Sequence, residues 1–296
     1  ISTDGKTAYA AMRNVGEVAV FNTTTGGLQI ITGLPVVTRL VEGPNEHKML
    51  AFSDGANGLI TPGQGTFFVI DTGTNTAKPV TAPQLDQPFS AVFDTSDSSD
   101  NTAFILNCGP ECGGTTASVM KVNFSNPSAP VFGPAIPVSA ATAGVLSGSS
   151  VLVAGTPPGS ASGTFQTVNP SSLTASAPVA IANGHHTRMV LASNNRVYIA
   201  ASACTAVPDP NPSLNLTRGC LTIVNTTSSA VVMPEVSSFR KNFDVTGIQP
   251  ISGRTVVYVC FGGELDIFDT NTDTAIVPSP PIDVVGNAFG VVQIDP

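Results

Sequence analysis

Six copies of one seven-residue pattern recur along the 296-residue chain, so its fold has to be built from six similar units. They lie at 16–22 (GEVAVFN), 65–71 (GTFFVID), 117–123 (ASVMKVN), 163–169 (GTFQTVN), 219–225 (GCLTIVN) and 263–269 (GELDIFD). Each reads Gly (once Ala), variable, apolar, variable, usually β-branched, apolar, then Asn or Asp. That alternation has the period of a half-buried strand. The closing Asn or Asp can bond its own backbone and open a turn. Turns rich in Thr, Ser and Gly often follow, such as TTTGG, TGTNT and TNTDT.

A second apolar segment precedes each copy, around Tyr9, Leu50, Phe104, Leu152, Tyr198 and Tyr258. A third comes before it, as at 38–41, 90–93, 187–192 and 245–249, and a fourth follows the turn, as at 28–32 and 274–277. Four antiparallel strands per unit predict an all-β, six-bladed β-propeller, one domain spanning 1–296. Successive Gly16-type positions are 49, 52, 46, 56 and 44 residues apart, and counting from Gly263 over the C-terminus back to Gly16 gives 49 again. The first unit lacks an innermost strand, and 289–294 (FGVVQI) has the pattern of that strand. The ring is therefore expected to close by this strand completing blade 1 and covering its open edge. Donation of the strand to a neighbouring molecule is the alternative. The intramolecular partner has the higher effective concentration.

Composition agrees with an all-β chain. No dozen residues carry a helical apolar stripe, and 28 Gly and 24 Pro punctuate the sequence evenly. With 12 Lys plus Arg and a net charge of −8, the basic footprint of a nucleic-acid binder is missing. No apolar run reaches the roughly 18 residues that span a bilayer. A chain starting at Ile1 without Met reads as a mature or trimmed product.

The five cysteines divide into two loop pairs and one strand residue. Cys108 and Cys112 lie in NCGPECGG, Cys204 and Cys220 bracket a Pro/Asn-rich loop, and Cys260 sits in the apolar VVYVC. Two disulfides, Cys108–Cys112 and Cys204–Cys220, with one buried thiol are expected, which implies an oxidising, extracellular compartment. Zinc fits less well, because the spacing is atypical and no His is nearby.

STDGKTAYAA followed by GEVAVFNTTTG resembles the YVTN repeats of surface-layer-type propellers, closely in the first unit and more loosely in the others. The resemblance implies the propeller fold. For function it implies only a range, from surface proteins and binding modules to a few enzymes. The absence of Trp removes the WD signature and the docking motifs of quinoprotein dehydrogenases. The segment at 2–7 lacks the glycine spacing and Trp of a sialidase Asp box, and Glu42 of Val41-Glu-Gly-Pro44 falls on the wrong side of its strand for a gluconolactonase metal site.

Between the second and third strands of a unit the connection length varies most. The distances from Tyr9-type to Gly16-type positions are 7, 15, 13, 11, 21 and 5. Variable loops on one end of a rigid scaffold are where recognition is usually built. The candidate surface is 53–64, 107–116, 155–162 and 202–218. His185, His186, Arg188, Arg240 and Asp244, beside or within inner strands, are the candidate binding side chains at a channel mouth. His185, His186 and Asp244 have the chemistry to hold a divalent metal, but a polar lining is the simpler reading, and no metal or cofactor is expected. No G-x-S-x-G elbow or recurring carboxylate pair appears. Asp94–Asp100 matches no EF-hand and reads as solvated turns. Sequons stand at Asn22, Asn123, Asn215 and Asn225.

The expected function is that of a secreted or cell-surface propeller, non-enzymatic, which binds a protein or glycan partner or assembles with itself through the loop-rich face. A lactonase- or hydrolase-like enzyme with its site at the channel mouth is the runner-up. A structural subunit of a surface layer or filament is the third reading.

Overall fold

The computed structural model describes residues 1–53, 65–205, 219–234, 244–261, 264–276 and 282–283, and the statements below concern those residues. Among them the chain forms six antiparallel sheets, one per sequence repeat. The first has three strands, Thr7–Met12, Glu17–Asn22 and Leu28–Ile31. The second comprises Val37–Glu42, Lys48–Ser53, Gly65–Asp71 and Thr76–Ala82, and the third Pro88–Phe93, Thr102–Asn107, Ser118–Asn123 and Val131–Pro137. The fourth runs through Ala143–Ser147, Ser150–Gly155 and Gly163–Asn169 to an outer strand split into Thr174–Ala175 and Val179–Ile181. The fifth holds His185–Ala192, Arg196–Ser202, Cys220–Asn225 and Val231–Val232. The sixth holds Val245–Pro250, Val256–Phe261 and Glu264–Asp269, then the pieces Thr274–Ile276 and Ile282–Asp283. Among the described residues the Thr7–Met12 strand pairs on one side only. The segment 289–294, expected on its other side, lies outside them.

The chain divides into two compact units, Ile1–Ala141 with Val168–Ala175, and Thr142–Thr167 with Ser176–Pro296. In the first unit, alternate residues of Lys48–Ser53 face opposite neighbours. Met49 and Ala51 pack with Val18, Val20 and Ile31 of the first sheet. Leu50 and Phe52 pack with Ala91, Phe93, Ile105 and Phe124 of the third. A strand buried on both faces favours apolar residues at successive positions, which explains MLAF at 49–52 and AFIL at 103–106. The rings of Phe52 and Phe67 stack at 5.8 Å, and Phe124 meets Phe67 and Phe93 edge-on at 6.4 and 6.2 Å. The second unit repeats this layering. Leu152, Ala154 and Phe165 pack with Met189, Val197 and Ile199, and Tyr198, Leu221 and Ile223 with Val257, Val259 and Phe268.

Two features of the repeat acquire physical reasons. The closing Asn or Asp accepts a backbone N–H two or three residues on in all six sheets: Thr24 to Asn22 at 3.0 Å, Thr74 to Asp71 at 2.9 Å, Ser125 to Asn123 at 3.1 Å, Ser171 to Asn169 at 2.9 Å, Thr227 to Asn225 at 2.9 Å and Asn271 to Asp269 at 2.8 Å. These are the Asx turns that the sequence predicts. The leading Gly makes room for the chain that enters the next sheet. A Cβ on Gly65 would stand 2.1 Å from Pro88 Cδ, one on Gly163 2.7 Å from His186 Cε1, and one on Gly219 2.5 Å from Asp244 Cα.

The first strands carry a β-bulge that the sequence did not announce. Val37 pairs with Ser53 and Arg39 with Phe52, leaving Thr38 bulged. Phe89, Thr187 and Thr246 are bulged in the same way. In the fourth sheet Ala143 pairs with Ala154 while the Thr142 N–H also donates to Ala154, at 2.9 Å, which puts Thr142 in the equivalent place.

Candidate functional site

In the first unit the loop after Thr102–Asn107 is shaped by the crossing that leads into the third sheet. Asp86, 9% exposed, accepts at one carboxylate oxygen from the Thr115 N–H (2.7 Å), the Thr115 hydroxyl (2.6 Å) and the Thr116 N–H (2.6 Å). The Cys108 N–H donates to Gln87 and the Gly109 N–H to Asp86, at 2.9 and 3.1 Å. Between these ties a 3₁₀ turn, Gly109–Cys112, is closed by Gly113 at φ 85° and by the Cys108–Cys112 disulfide. Gly114 has to be glycine, because its Cβ would stand 2.0 Å from the Asp86 carboxylate. So the crossing and the variable loop share one end of the sheet.

The second unit solves the same problem with Asn183. Its amide nitrogen donates to the Thr205 hydroxyl, and its amide oxygen accepts from the Thr205 N–H at 2.9 Å. The Cys204–Cys220 disulfide packs with Ala182 and Ala201 beneath this clasp. Gly184, at φ 117°, has no room for a Cβ, which would meet the Ser202 carbonyl at 2.3 Å. Ala203 is left-handed, at φ 56°, and donates its N–H to the Asp244 carboxylate. Burial raises the pKa of Asp244 and this hydrogen bond opposes the rise. The sequence reading missed Asp86 and Asn183. The only local signal was an Asx residue in the crossing ahead of each first strand, in LDQPF and ANGHH.

Four of the five proposed binding residues, His185, His186, Arg188 and Asp244, lie among the described residues. His185 is exposed, whereas His186 is 1% exposed. His186 Nε2 lies 3.1 Å from the Ala182 carbonyl and Nδ1 3.5 Å from the Thr156 hydroxyl. The neighbouring Thr156 hydroxyl donates to the Gly184 carbonyl at 2.8 Å. Burial lowers the pKa of His186 to about 4, so the ring is neutral at pH 7. Arg188 is exposed, and its charge opposes the burial that raises the Cys260 thiol. Cys260 is the buried free thiol expected from its strand. Arg240 and Lys241 lie outside the described residues, as do 54–64 and 206–218 of the candidate loops and Asn215. Among the described residues no three His, Cys, Asp or Glu side chains come together as a metal site, and no helix is long and apolar enough to cross a membrane.

At other places in the first unit, the acidic segment is tied into the fold. Asp94 pairs with Lys121 at 2.8 Å, Asp97 accepts from the Ser99 N–H at 3.0 Å, and Asp100 is fully buried. Solvated turns therefore describe it only in part. His47 lines a polar cleft of about 480 Å³ with Glu46, Lys48, Asp71 and Thr72.

No family model and no curated protein matches the chain. Solved structures do. Hydrazine synthase of Kuenenia stuttgartiensis is similar at a TM-score of 0.70 and 12% identity, over 92% of this chain and 75% of that one. The Dos1 propeller follows at 0.67 and 9%, over 98% and 71%, and the RRP9 WD40 repeats at 0.63 and 9%, over 98% and 81%. At such identities the likeness concerns the backbone alone. With six antiparallel sheets in sequence order, it shows that the chain has the β-propeller fold.

Proposed function

We propose that the chain is a secreted or cell-surface propeller of six blades that binds a protein or glycan partner through its loop-rich end and performs no catalysis of its own. The ring closes through 289–294, and the repeats belong to the YVTN type. The observation that carries the binding role is the pair of clamps. Asp86 and Asn183 fix loops that the repeat itself does not shape, at the same end of their sheets. Preshaped loops lose little entropy on binding, which favours recognition. Two disulfides at that end are consistent with an extracellular setting. The hydrolase alternative loses support because His186, one of its three ligands, is turned inward onto Ala182.

A peptide-display selection against the full chain tests this reading. Binders should lose affinity at least tenfold when Thr115→Arg or Asn183→Asp is introduced. Binders indifferent to both changes contradict it. So does one zinc or calcium ion held per chain and lost in Asp244→Asn, measured by equilibrium dialysis.

A further inference from the structure

We propose that the Cys108–Cys112 disulfide is a redox switch in the loop after Thr102–Asn107, opened selectively by a dithiol, which frees the turn at 110–114 and leaves the sheet folded. This rests on the reading of the loop-rich end as the recognition surface and adds its regulation. The two bridges of the chain differ in the access they give to a thiolate. Cys112 is half-buried, while its partner Cys108 is fully buried. Cys204 and Cys220 are 5% and 2% exposed and pack with Ala182 and Ala201. Exchange requires a thiolate to reach one sulfur of the bond, so Cys112 is the sulfur that an external dithiol attacks.

The exchange balances between the reductant and the bridge. One thiolate of the dithiol attacks Sγ of Cys112, the S–S bond breaks, and Cys108 leaves as a thiolate that takes up a proton. The second thiolate of the reductant then closes the reductant's own disulfide and releases Cys112, which also takes up a proton. Two electrons pass to the protein, and the dithiol is oxidised. Cys108 stays in place as a small buried thiol.

The base of the loop is anchored without the bridge. The Cys108 N–H donates to the Gln87 carbonyl and the Gly109 N–H to that of Asp86. The Asp86 carboxylate accepts from the N–H groups of Thr115 and Thr116, and the Asn107 side chain donates to the Ser118 hydroxyl at 3.0 Å. Between these anchors the turn carries two backbone hydrogen bonds, from the Gly113 N–H to Pro110 at 3.2 Å and from the Gly114 N–H to Gly109 at 2.8 Å. Two such bonds fall short of the backbone entropy that fixing the turn costs, so the turn opens once the bridge is gone. The bridge joins residues four apart, against 16 for Cys204–Cys220, so its opening releases less chain entropy and the fold survives.

The test treats the full-length chain with dithiothreitol in the absence of denaturant, quenches with N-ethylmaleimide and maps the labelled peptides, then follows amide hydrogen exchange in the reduced form. Cys108 and Cys112 should be labelled roughly tenfold faster than Cys204 and Cys220, or more. Reduction should speed exchange at Gly113 and Gly114 by roughly tenfold, leave Thr115 and Thr116 unchanged and lower the Tm by less than about 5 °C. A display-selected peptide that loses affinity in Thr115→Arg should also change affinity by roughly threefold or more on reduction. Equal labelling of the two bridges, or faster labelling of Cys204 and Cys220, overturns the proposal. So does unchanged exchange at Gly113 and Gly114, acceleration that spreads to Thr115 and Thr116, or a peptide affinity blind to reduction. If no selected peptide responds to Thr115→Arg, the recognition reading fails, while labelling and exchange still decide whether the bridge opens the turn.

Discussion

Asp100 fills the space that a side chain on Gly43 would need. A Cβ there would stand 2.5 Å from its carboxylate carbon. From that place the buried carboxylate accepts from the Asn45 N–H (3.1 Å), the Asn45 side chain (2.9 Å) and the His47 N–H (3.0 Å), joining the hairpins of the second and third sheets. Gly43 of the Glu-Gly-Pro at 42–44 therefore serves a joint between the two sheets. Asp100→Ala should cost about 3 kcal/mol in denaturant unfolding, because three donors lose a charged acceptor. Gly43→Ala should also destabilise, but much less in the Asp100→Ala background. Additive effects of the two changes would show that they do not meet.

His186 predicts an acid limb. Burial lowers its folded pKa from 6.5 to about 4, so the unfolded chain binds the proton more readily between these values. Stability is then fully present above about pH 6.5 and falls as the pH drops toward 4, by roughly 3 kcal/mol from this group. His186→Gln removes the titration, and its stability should depend less on pH over that window whatever its absolute stability. An unchanged slope in unfolding curves at pH 7, 6, 5 and 4 would assign the acid limb to other groups.

Gly163→Ala should destabilise by about 1–3 kcal/mol, since the added methyl meets both the Ala182 carbonyl and the His186 ring. Ala117→Gly, the reverse change at the equivalent repeat position, should cost roughly 1 kcal/mol or less. Thermal unfolding of the two variants distinguishes a glycine demanded by packing from one that merely recurs.

The disulfide that brackets the longest loop carries its own expectation. Cys204 and Cys220 are 16 residues apart, and replacing both by Ser should lower stability by about 3 kcal/mol in the chain-entropy description. Reductant should then have little further effect on stability beyond that of opening Cys108–Cys112. Equal stability of the variant and the parent would mean that the Asn183–Thr205 clasp holds the loop without the bridge.

Much of this fold was legible in the sequence because its signals are local. The Asx turns need only Asn22 or Asp269 and the next few residues, and the doubly buried second strands show as apolar runs. The clamps were not legible. Asp86 acts on Thr115, 29 residues away, and Asp100 on Asn45, 55 residues away, and neither spacing has a periodicity to find. The bulges at Thr38, Phe89, Thr187 and Thr246 were missed for a related reason, since a bulge is a property of two strands at once. His185 and His186 looked like a pair, but a strand sends neighbouring side chains to opposite faces, so only one could face any common point.

Amide hydrogen exchange across Thr7–Met12 tests the closed propeller most directly. If the ring closes, amides on both sides of this strand are bonded and should exchange as slowly as those of the doubly paired Thr102–Asn107 strand. If alternate amides of Thr7–Met12 exchange as fast as those of the outer strand Leu28–Ile31, the first sheet ends at an open edge and the closed ring is contradicted.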